Sequence, residues 1–402
     1  MDEIAITGLG ITTPLAQGRQ LNLTSLLAGR GHFGLMQRPG RQYGASAFIG
    51  AEIETLQLPA DVSPRLLRTA SWSARVALAT VHEAWHDARL EETDPERIGL
   101  VVGGSNLQQR ELTLLQDSYR DKPTYLRPSY GLSFLDTDIG ALCSEYFGIR
   151  GTAQTAGGAS ASGHLAIVQS INLVLSGTVD ACIAVGALMD LSYWECQGLR
   201  GLGAMGSDRY ANQPAAACRP FDAQRDGFIF GESCGAVVVE RAARAGREPH
   251  ALISGWSYQV SGHRNPDTSV EGETRAIRAA LSMSGVPAGH FDYVNPHGTG
   301  STLGDEVELR ALREVGLQGA AINATKSVIG HGLSAAGAVE VIVTVLQMQA
   351  GRLHPTLNLD EPLDPGFDWV RARSREHRMR HALNLSFGFG GINSAICLSS
   401  GR

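Results

Sequence analysis

The chain lacks several features that would narrow its class at once. Its six cysteines (Cys143, Cys182, Cys196, Cys218, Cys234 and Cys397) include no CxxC pair. That excludes a zinc knuckle and a disulfide scaffold and suits a reduced, cytoplasmic chain. There is no basic excess: 34 Lys and Arg against 40 Asp and Glu leave a net charge of −6, the wrong sign for a nucleic-acid binder. No apolar run approaches the ~18 residues that would span a bilayer. The opening MDEIAITGLG enters a strand pattern directly, without a signal-peptide layout. Charged residues are few at 18% and apolar ones reach 43%, so a large core is expected and disorder is not. The 402 residues exceed one ordinary domain of ~150. Glycine is abundant, with 48 residues, and sits at strand–helix junctions without a collagen period.

Short apolar runs alternate with helical stretches. Ile4–Gly8, Ile98–Gly103, Ala181–Gly186 and Gly235–Glu240 read as buried strands, followed by Ala251–Gly255, Tyr293–Pro296, Ala321–Ala324, Ala382–Ser386 and Ile392–Leu398. Helices are expected between them, at Ala70–Leu90, Thr274–Ser284 and Glu306–Val315. The alternation predicts an α/β fold with a mainly parallel sheet and helices on both faces. An internal echo predicts duplication. Ser160-Ala-Ser-Gly163 is followed by thirteen mostly apolar residues and Gly177; Ser334-Ala-Ala-Gly337 by thirteen more and Gly351. A helix that is apolar nearly all round is buried on every side, and small residues at its start let backbones approach closely. Two halves follow, residues 1–245 and 246–402, with the joint at Gly246–His250.

Two motifs are tempting and are set aside. His82-Glu83-Ala84-Trp85-His86 matches H-E-x-x-H, but the pattern is short and shows no convincing third ligand. Its histidines flank a core stripe at Ala74, Ala77, Leu78, Val81, Trp85 and Ala88, so no metal site is expected there. Gly8-Leu-Gly10 lacks the third glycine and the later acid of a dinucleotide fingerprint. Residues 151–163 (GTAQTAGGASASG) read instead as a strand feeding a glycine-rich elbow into a buried helix. A helix start of this kind favours developing negative charge, although serine there is also a common N-cap. Further loops follow strands: Asn295–Ser301 with His297, Asn323–Gly332 with Lys326 and His331, and Ser386–Asn393. Two histidines in glycine-rich loops at strand carboxyl ends fit the place where open α/β sheets bind ligands. Lys326 and Glu308 read as an ion pair holding these loops.

Together these loops resemble the β-ketoacyl-ACP synthases, the condensing enzymes of fatty-acid and polyketide synthesis. The family's histidine loops are matched by VNPHGTGSTLGD (294–305) and TKSVIGHGLSAAG (325–337), and its N-S-F-G-F-G-G-x-N loop by NLSFGFGGIN (384–393). Arg219-Pro-Phe-Asp222 with Arg225-Asp-Gly227 matches a fourth motif, and the likeness runs from about residue 3 to 398. It implies the thiolase-like fold, two duplicated halves in five αβαβα layers, and a homodimer. The family's nucleophile is a cysteine in a T-A-C-x-x-G elbow, and no cysteine stands there. Matching Thr155-Ala156 would put Gly157 at the nucleophile and needs three extra residues before Gly177. The preferred gap-free register puts Ser160 there.

A thiol is partly thiolate near neutral pH and a serine hydroxyl is not. Acyl loading and condensation should therefore be lost, whereas decarboxylation of a malonyl thioester needs no nucleophile of that kind. The resemblance thus implies a malonyl-ACP decarboxylase that makes acetyl-ACP, like the serine-variant ketosynthases of polyketide β-branching cassettes. The segment FGLMQRPGR (33–41) also looks like that subgroup, and Leu202 stands where many chain-extending relatives carry phenylalanine. The resemblance implies that His297 and His331 stabilise the enolate. It gives Ser160 and Phe389 backbone N–H groups to an oxyanion hole, with Phe389 also gating the malonyl pocket. Thr299 and Ser301 would bind the pantetheine arm, and Lys326 and Glu308 would order the histidines. It implies no cofactor beyond the phosphopantetheine carried by the acyl carrier protein, which would dock on basic residues such as Arg65 and Arg68. The alternatives are a non-catalytic partner of the chain-length-factor type and a Ser160-dependent acyltransferase or hydrolase.

Overall fold

The structure, a computed structural model, describes residues 3–243, 246 and 248–401. The expected joint at Gly246–His250 includes position 247, which lies outside the described residues. In the first half the principal strands are β1 (Ile4–Thr13), β2 (Ile98–Gly103), β3 (Thr152–Ala156), β4 (Ala181–Gly186) and β5 (Cys234–Arg241). In the second they are β6 (Ala251–Val260), β7 (Tyr293–Asn295), β8 (Ala321–Ile322), β9 (His381–Gly388) and β10 (Ile392–Ser399). The spatial orders are β3-β2-β4-β5-β1 and β8-β7-β9-β10-β6. Each strand of the first half thus has its counterpart five later in the second. The two sets join through an antiparallel pair in which Ile4 of β1 faces Ile253 of β6.

Each half is mixed rather than mainly parallel, which corrects the sequence expectation. β2 runs parallel to β3 and β4, and β7 parallel to β8 and β9. β4–β5, β5–β1, β9–β10 and β10–β6 are antiparallel. For β9 and β10 the cause is connection length: only Phe389, Gly390 and Gly391 separate them, too few for the crossover that a parallel pair requires.

Five helices complete the layers: α1 (Trp72–Asp87), α2 (Ser162–Leu175), α3 (Val270–Ser284), α4 (Gly304–Glu314) and α5 (Ala336–Ala350). Ser71 caps α1 by accepting from the Ala74 N–H, and Ser269 caps α3 by accepting from Gly272. One core packs α2 and α5, through Ile167, Ile171, Val339 and Val343, between the inner faces of both sheets. A second seats α1 on the outer face of the first sheet, and a third seats α3 and α4 on the outer face of the second. The result is αβαβα, the thiolase-like arrangement. The two central helices touch at their glycines. A Cβ on Gly163 would lie 2.5 Å from the Ala338 nitrogen, and one on Gly337 2.9 Å from the His164 nitrogen.

The stretch Leu333–Ala350 also corrects an expectation: its 18 helical residues have a mean hydropathy of 1.4, long and apolar enough to cross a membrane. It is 83% buried inside the protein, where it is the central helix of the second half, and that burial accounts for its composition.

Candidate active site

The elbow before α2 is built on strain. Ala159 adopts φ 47°, a left-handed value rare for a residue with a Cβ, and a short turn over Ala159–Ala161 then starts the helix. This turns Ser160 into a cavity of about 350 Å3, shared with His297, His331, Thr299, Ser301 and Phe389. The Ser160 Oγ and the His331 Nε2 are 3.1 Å apart. The rings of His297 and His331 meet edge to face with centroids 5.4 Å apart. Gly157, the residue of the other register, lies instead beside Ser105.

His331 is fixed through its backbone, donating to Ile229 O at 2.7 Å and accepting from the Gly231 N–H at 3.1 Å. Phe228 stands edge-on to its ring at 5.2 Å. His297 is clamped through both of its backbone polar groups. Its N–H donates to Glu308 Oε1 at 2.6 Å, and its carbonyl accepts from Lys326 Nζ at 2.5 Å. Glu308 also accepts the Gly298 N–H at 2.8 Å. Lys326 and Glu308 therefore serve one residue without forming the expected ion pair. The salt-bridge partner of Lys326 is Glu340, at 2.5 Å, with both side chains 1% exposed. Glu340 lies outside the matched loops, and its one sequence signal is that it is the only charged residue of AVEVIVTVLQMQA (338–350). Lys326 is also one of only two lysines in the chain.

Burial, and then the nearby Lys326 charge, holds both histidines well below the ordinary imidazole pKa. Each is a neutral ring with one N–H to give. Burial pushes Glu308 up to about 8 despite its two backbone donors and Glu340 up to about 7 against the pull of Lys326. The site therefore brings two neutral imidazole donors to one cavity, an arrangement suited to an oxygen that gains negative charge.

Thr299 Oγ1 accepts the Ser301 N–H and Ser301 Oγ accepts the Gly304 N–H, and both residues line the cavity. Phe389 is 39% exposed in the β9–β10 hairpin. Gly388 before it lies so close to the elbow that a Cβ there would be 2.6 Å from Gly158 O and 3.3 Å from the Ser160 nitrogen. Met189, Leu199, Leu202 and Ala204 form the apolar end of the cavity.

Other sequence candidates fall elsewhere. The Nε2 atoms of His82 and His86 are 3.1 Å apart on the outer helix α1, while Glu83 is occupied by the Ile11 and Arg19 N–H groups. No group of three or more His, Cys, Asp or Glu among the described residues could hold a metal ion. Arg38 and Arg41 of the 33–41 segment pair with Glu232, and Arg41 also with Glu52 and Asp190. Arg65 and Arg68 are exposed.

Residues 1–245 match the N-terminal domain of β-ketoacyl synthases and residues 250–360 the C-terminal domain. The chain is 54% identical to the polyketide biosynthesis malonyl-ACP decarboxylase PksF of Bacillus subtilis (strain 168), across 100% of its own length and 97% of that protein. It is 32% identical, over 99% of both, to a putative mitochondrial 3-oxoacyl-(acyl-carrier-protein) synthase of Schizosaccharomyces pombe. A β-ketoacyl synthase crystal structure from Burkholderia phymatum STM815 superposes on 100% of both chains with a TM-score of 0.90 at 26% identity.

Proposed function

The chain belongs to the β-ketoacyl synthase family, and we propose that it is a malonyl-ACP decarboxylase that supplies acetyl-ACP for β-branching in polyketide biosynthesis. Its similarity to PksF over the full chain supports the activity. The observation that carries the mechanism is the pair of neutral imidazoles, in contact with each other and sharing one cavity with a serine where the family's condensing members need a thiolate, with His331 3.1 Å from that serine. When the bond from the malonyl methylene to its carboxylate breaks, carbon dioxide leaves and the electron pair moves into the thioester as an enolate. His297 and His331 donate their N–H groups to that oxygen. One such donor is worth ~3 kcal/mol, about a hundredfold in rate. Without an acyl chain on residue 160 the enolate has no carbon electrophile and takes up a proton, giving acetyl.

In this reading Ser160 faces the malonyl group, and its N–H and that of Phe389 form an oxyanion hole. Phe389 gates the cavity mouth, and Thr299 and Ser301 hold the pantetheine amides. Lys326 and Glu308 position His297. The acidic carrier protein docks on Arg65 and Arg68. The chain works as a cytoplasmic homodimer of two-part subunits, 1–245 and 246–402. An edge for pairing is supported by β3, which ends the sheet with exposed positions beside the exposed Leu132, Phe134 and Leu135.

The 3.1 Å approach of Ser160 and His331 also invites a serine hydrolase or acyltransferase reading. A serine–histidine dyad needs a group behind the base to hold the imidazolium. The His331 Nδ1 has no hydrogen-bond partner, and the Lys326 charge opposes protonation. A chain-length-factor role is disfavoured because both histidines remain. The test is mass spectrometry of malonyl-ACP incubated with the pure protein: acetyl-ACP is expected, with the rate falling roughly a hundredfold in His297→Ala or His331→Ala. Intact malonyl-ACP would refute the reading, as would an ester trapped on Ser160.

A further inference from the structure

A condensing enzyme spends its enolate on an acyl carbon, whereas a decarboxylase must find a proton for the same carbon. Glu273, in the first turns of α3, lines the cavity that holds His297, His331 and Ser160. It is 1% exposed, and its Oε2 has no hydrogen-bond partner. It is one of three buried acids at this wall, with Asp305 and Glu308 of α4, 1% and 2% exposed. Hydrogen bonds distinguish them. Asp305 accepts the N–H groups of Phe221, Thr299 and Gly300, and Glu308 those of His297 and Gly298. Donors of this kind stabilise the ionised form. Burial still raises Asp305 to about 6 and Glu308 to about 8, but both are held by those backbone donors, whereas the Glu273 Oε2 is unengaged.

We propose that Glu273 is the proton source that converts the enolate into acetyl. The inference rests on the decarboxylase reading above. In the step, the proton leaves the Glu273 carboxyl and the enolate carbon–carbon electron pair forms the new C–H bond. The thioester carbonyl reforms, and the carboxylate left behind regains a proton from solvent. Over the cycle one malonyl carboxylate and one proton become acetyl and carbon dioxide. Burial, followed by the charges of Glu308 and Asp305, keeps the Glu273 carboxyl protonated well above the usual carboxylate range. Asp267, on the segment leading into α3, and the imidazoles of His297 and His331 are the other titratable groups that line this cavity beside Asp305 and Glu308.

The experiment compares wild type with Glu273→Gln, and with Glu273→Ala as a second variant, using malonyl-ACP from mildly acidic to alkaline pH. Circular dichroism and thermal unfolding verify that the variants fold. The expected result is a kcat lower by roughly a hundredfold with KM within about twofold. The wild-type rate should fall as rising pH strips the acid of its proton, and that limb should be missing from Glu273→Gln. A Gln variant with wild-type kcat overturns the proposal, and so does a slowed variant that keeps the wild-type pH profile, because a structural role would leave that profile in place. If wild type itself makes no acetyl-ACP, the decarboxylase reading fails first. If it does and Glu273→Gln matches it, only this inference falls.

Discussion

The starts of the two central helices, residues 159–163 and 333–337, follow the same plan. Ala159 and Leu333 both take positive φ, 47° and 50°; each opens a short turn that becomes a buried helix. A glycine stands three residues after each serine, and each glycine abuts the other helix. The serines then part company. Ser160 is half-buried and meets His331 across the cavity. Ser334 is 2% exposed and donates to Ala187 O at 2.8 Å. One backbone device therefore serves as a reaction elbow in the first half and as a structural corner in the second. The difference lies in what faces the side chain, because the helix start itself is the same.

The sharpest way to break this comparison is at the glycines. Gly163→Ala would press a methyl against the Ala338 backbone nitrogen at 2.5 Å, which cannot move without shifting α5. Overpacking of this kind outweighs the helix-propensity gain and should cost about 3 kcal/mol. Gly337→Ala meets His164 at 2.8 and 2.9 Å, longer than the closest contact at Gly163, so about 2 kcal/mol is expected. Thermal unfolding of both variants measures the difference. Equal and negligible losses would mean that the helices are not in this close contact.

The central helices also bury opposite titrations. Burial, helped by Lys326, lowers His164 of α2 from 6.5 to about 4. Burial raises Glu340 of α5 from 4.5 to about 7 against Lys326. An imidazole with a lowered folded pKa contributes stability above pH 6.5 that is lost as pH falls toward 4. A carboxyl with a raised folded pKa contributes stability below pH 4.5 that is lost as pH rises through about 7. The first shift amounts to about 3 kcal/mol when fully expressed. His164→Gln, whose amide can bond to Asn384 and Ser394 in place of the ring, should make the acid side of the stability profile shallower, with His297, His331 and His354 still contributing, and leave the alkaline side unchanged. An unchanged acid side would show that other groups set it.

Much of this was legible in the sequence, for identifiable reasons. Ile98–Gly103 and Ala181–Gly186 are strands over the expected residues, because a strand buried on both faces is a continuous apolar run bounded by glycine. The serine, the two histidines and the Phe389 loop meet as expected because each follows a strand end of a duplicated sheet. Side-chain aim was not legible. Glu308 sits on α4 and Lys326 opens a short helix after β8, and the sequence does not reveal that the lysine turns to Glu340 instead. Glu273 sits in SVEGETRAIRAAL beside the exposed Glu271, and a helix with acids in its first turn looks solvated until its packing is known.

The smallest effect separates the two serines most directly. Ser334→Ala removes the donor to Ala187 O, leaving a carbonyl in the core without that partner. The loss should be about 1 kcal/mol in stability, with acetyl-ACP formation unchanged. Ser160→Ala should do the reverse of what a nucleophile would. Its hydroxyl faces a cavity, so stability should hold. The imidazole N–H groups that bind the enolate remain, so decarboxylation should stay within about threefold of wild type, far from the hundredfold loss of a missing donor. Ser160→Cys restores a group with an accessible thiolate and should regain acyl loading, read as an acyl adduct on residue 160. If Ser160→Ala instead abolishes turnover while Ser334→Ala does not, the first elbow carries covalent chemistry after all, and the two helix starts differ in mechanism as well as in surroundings.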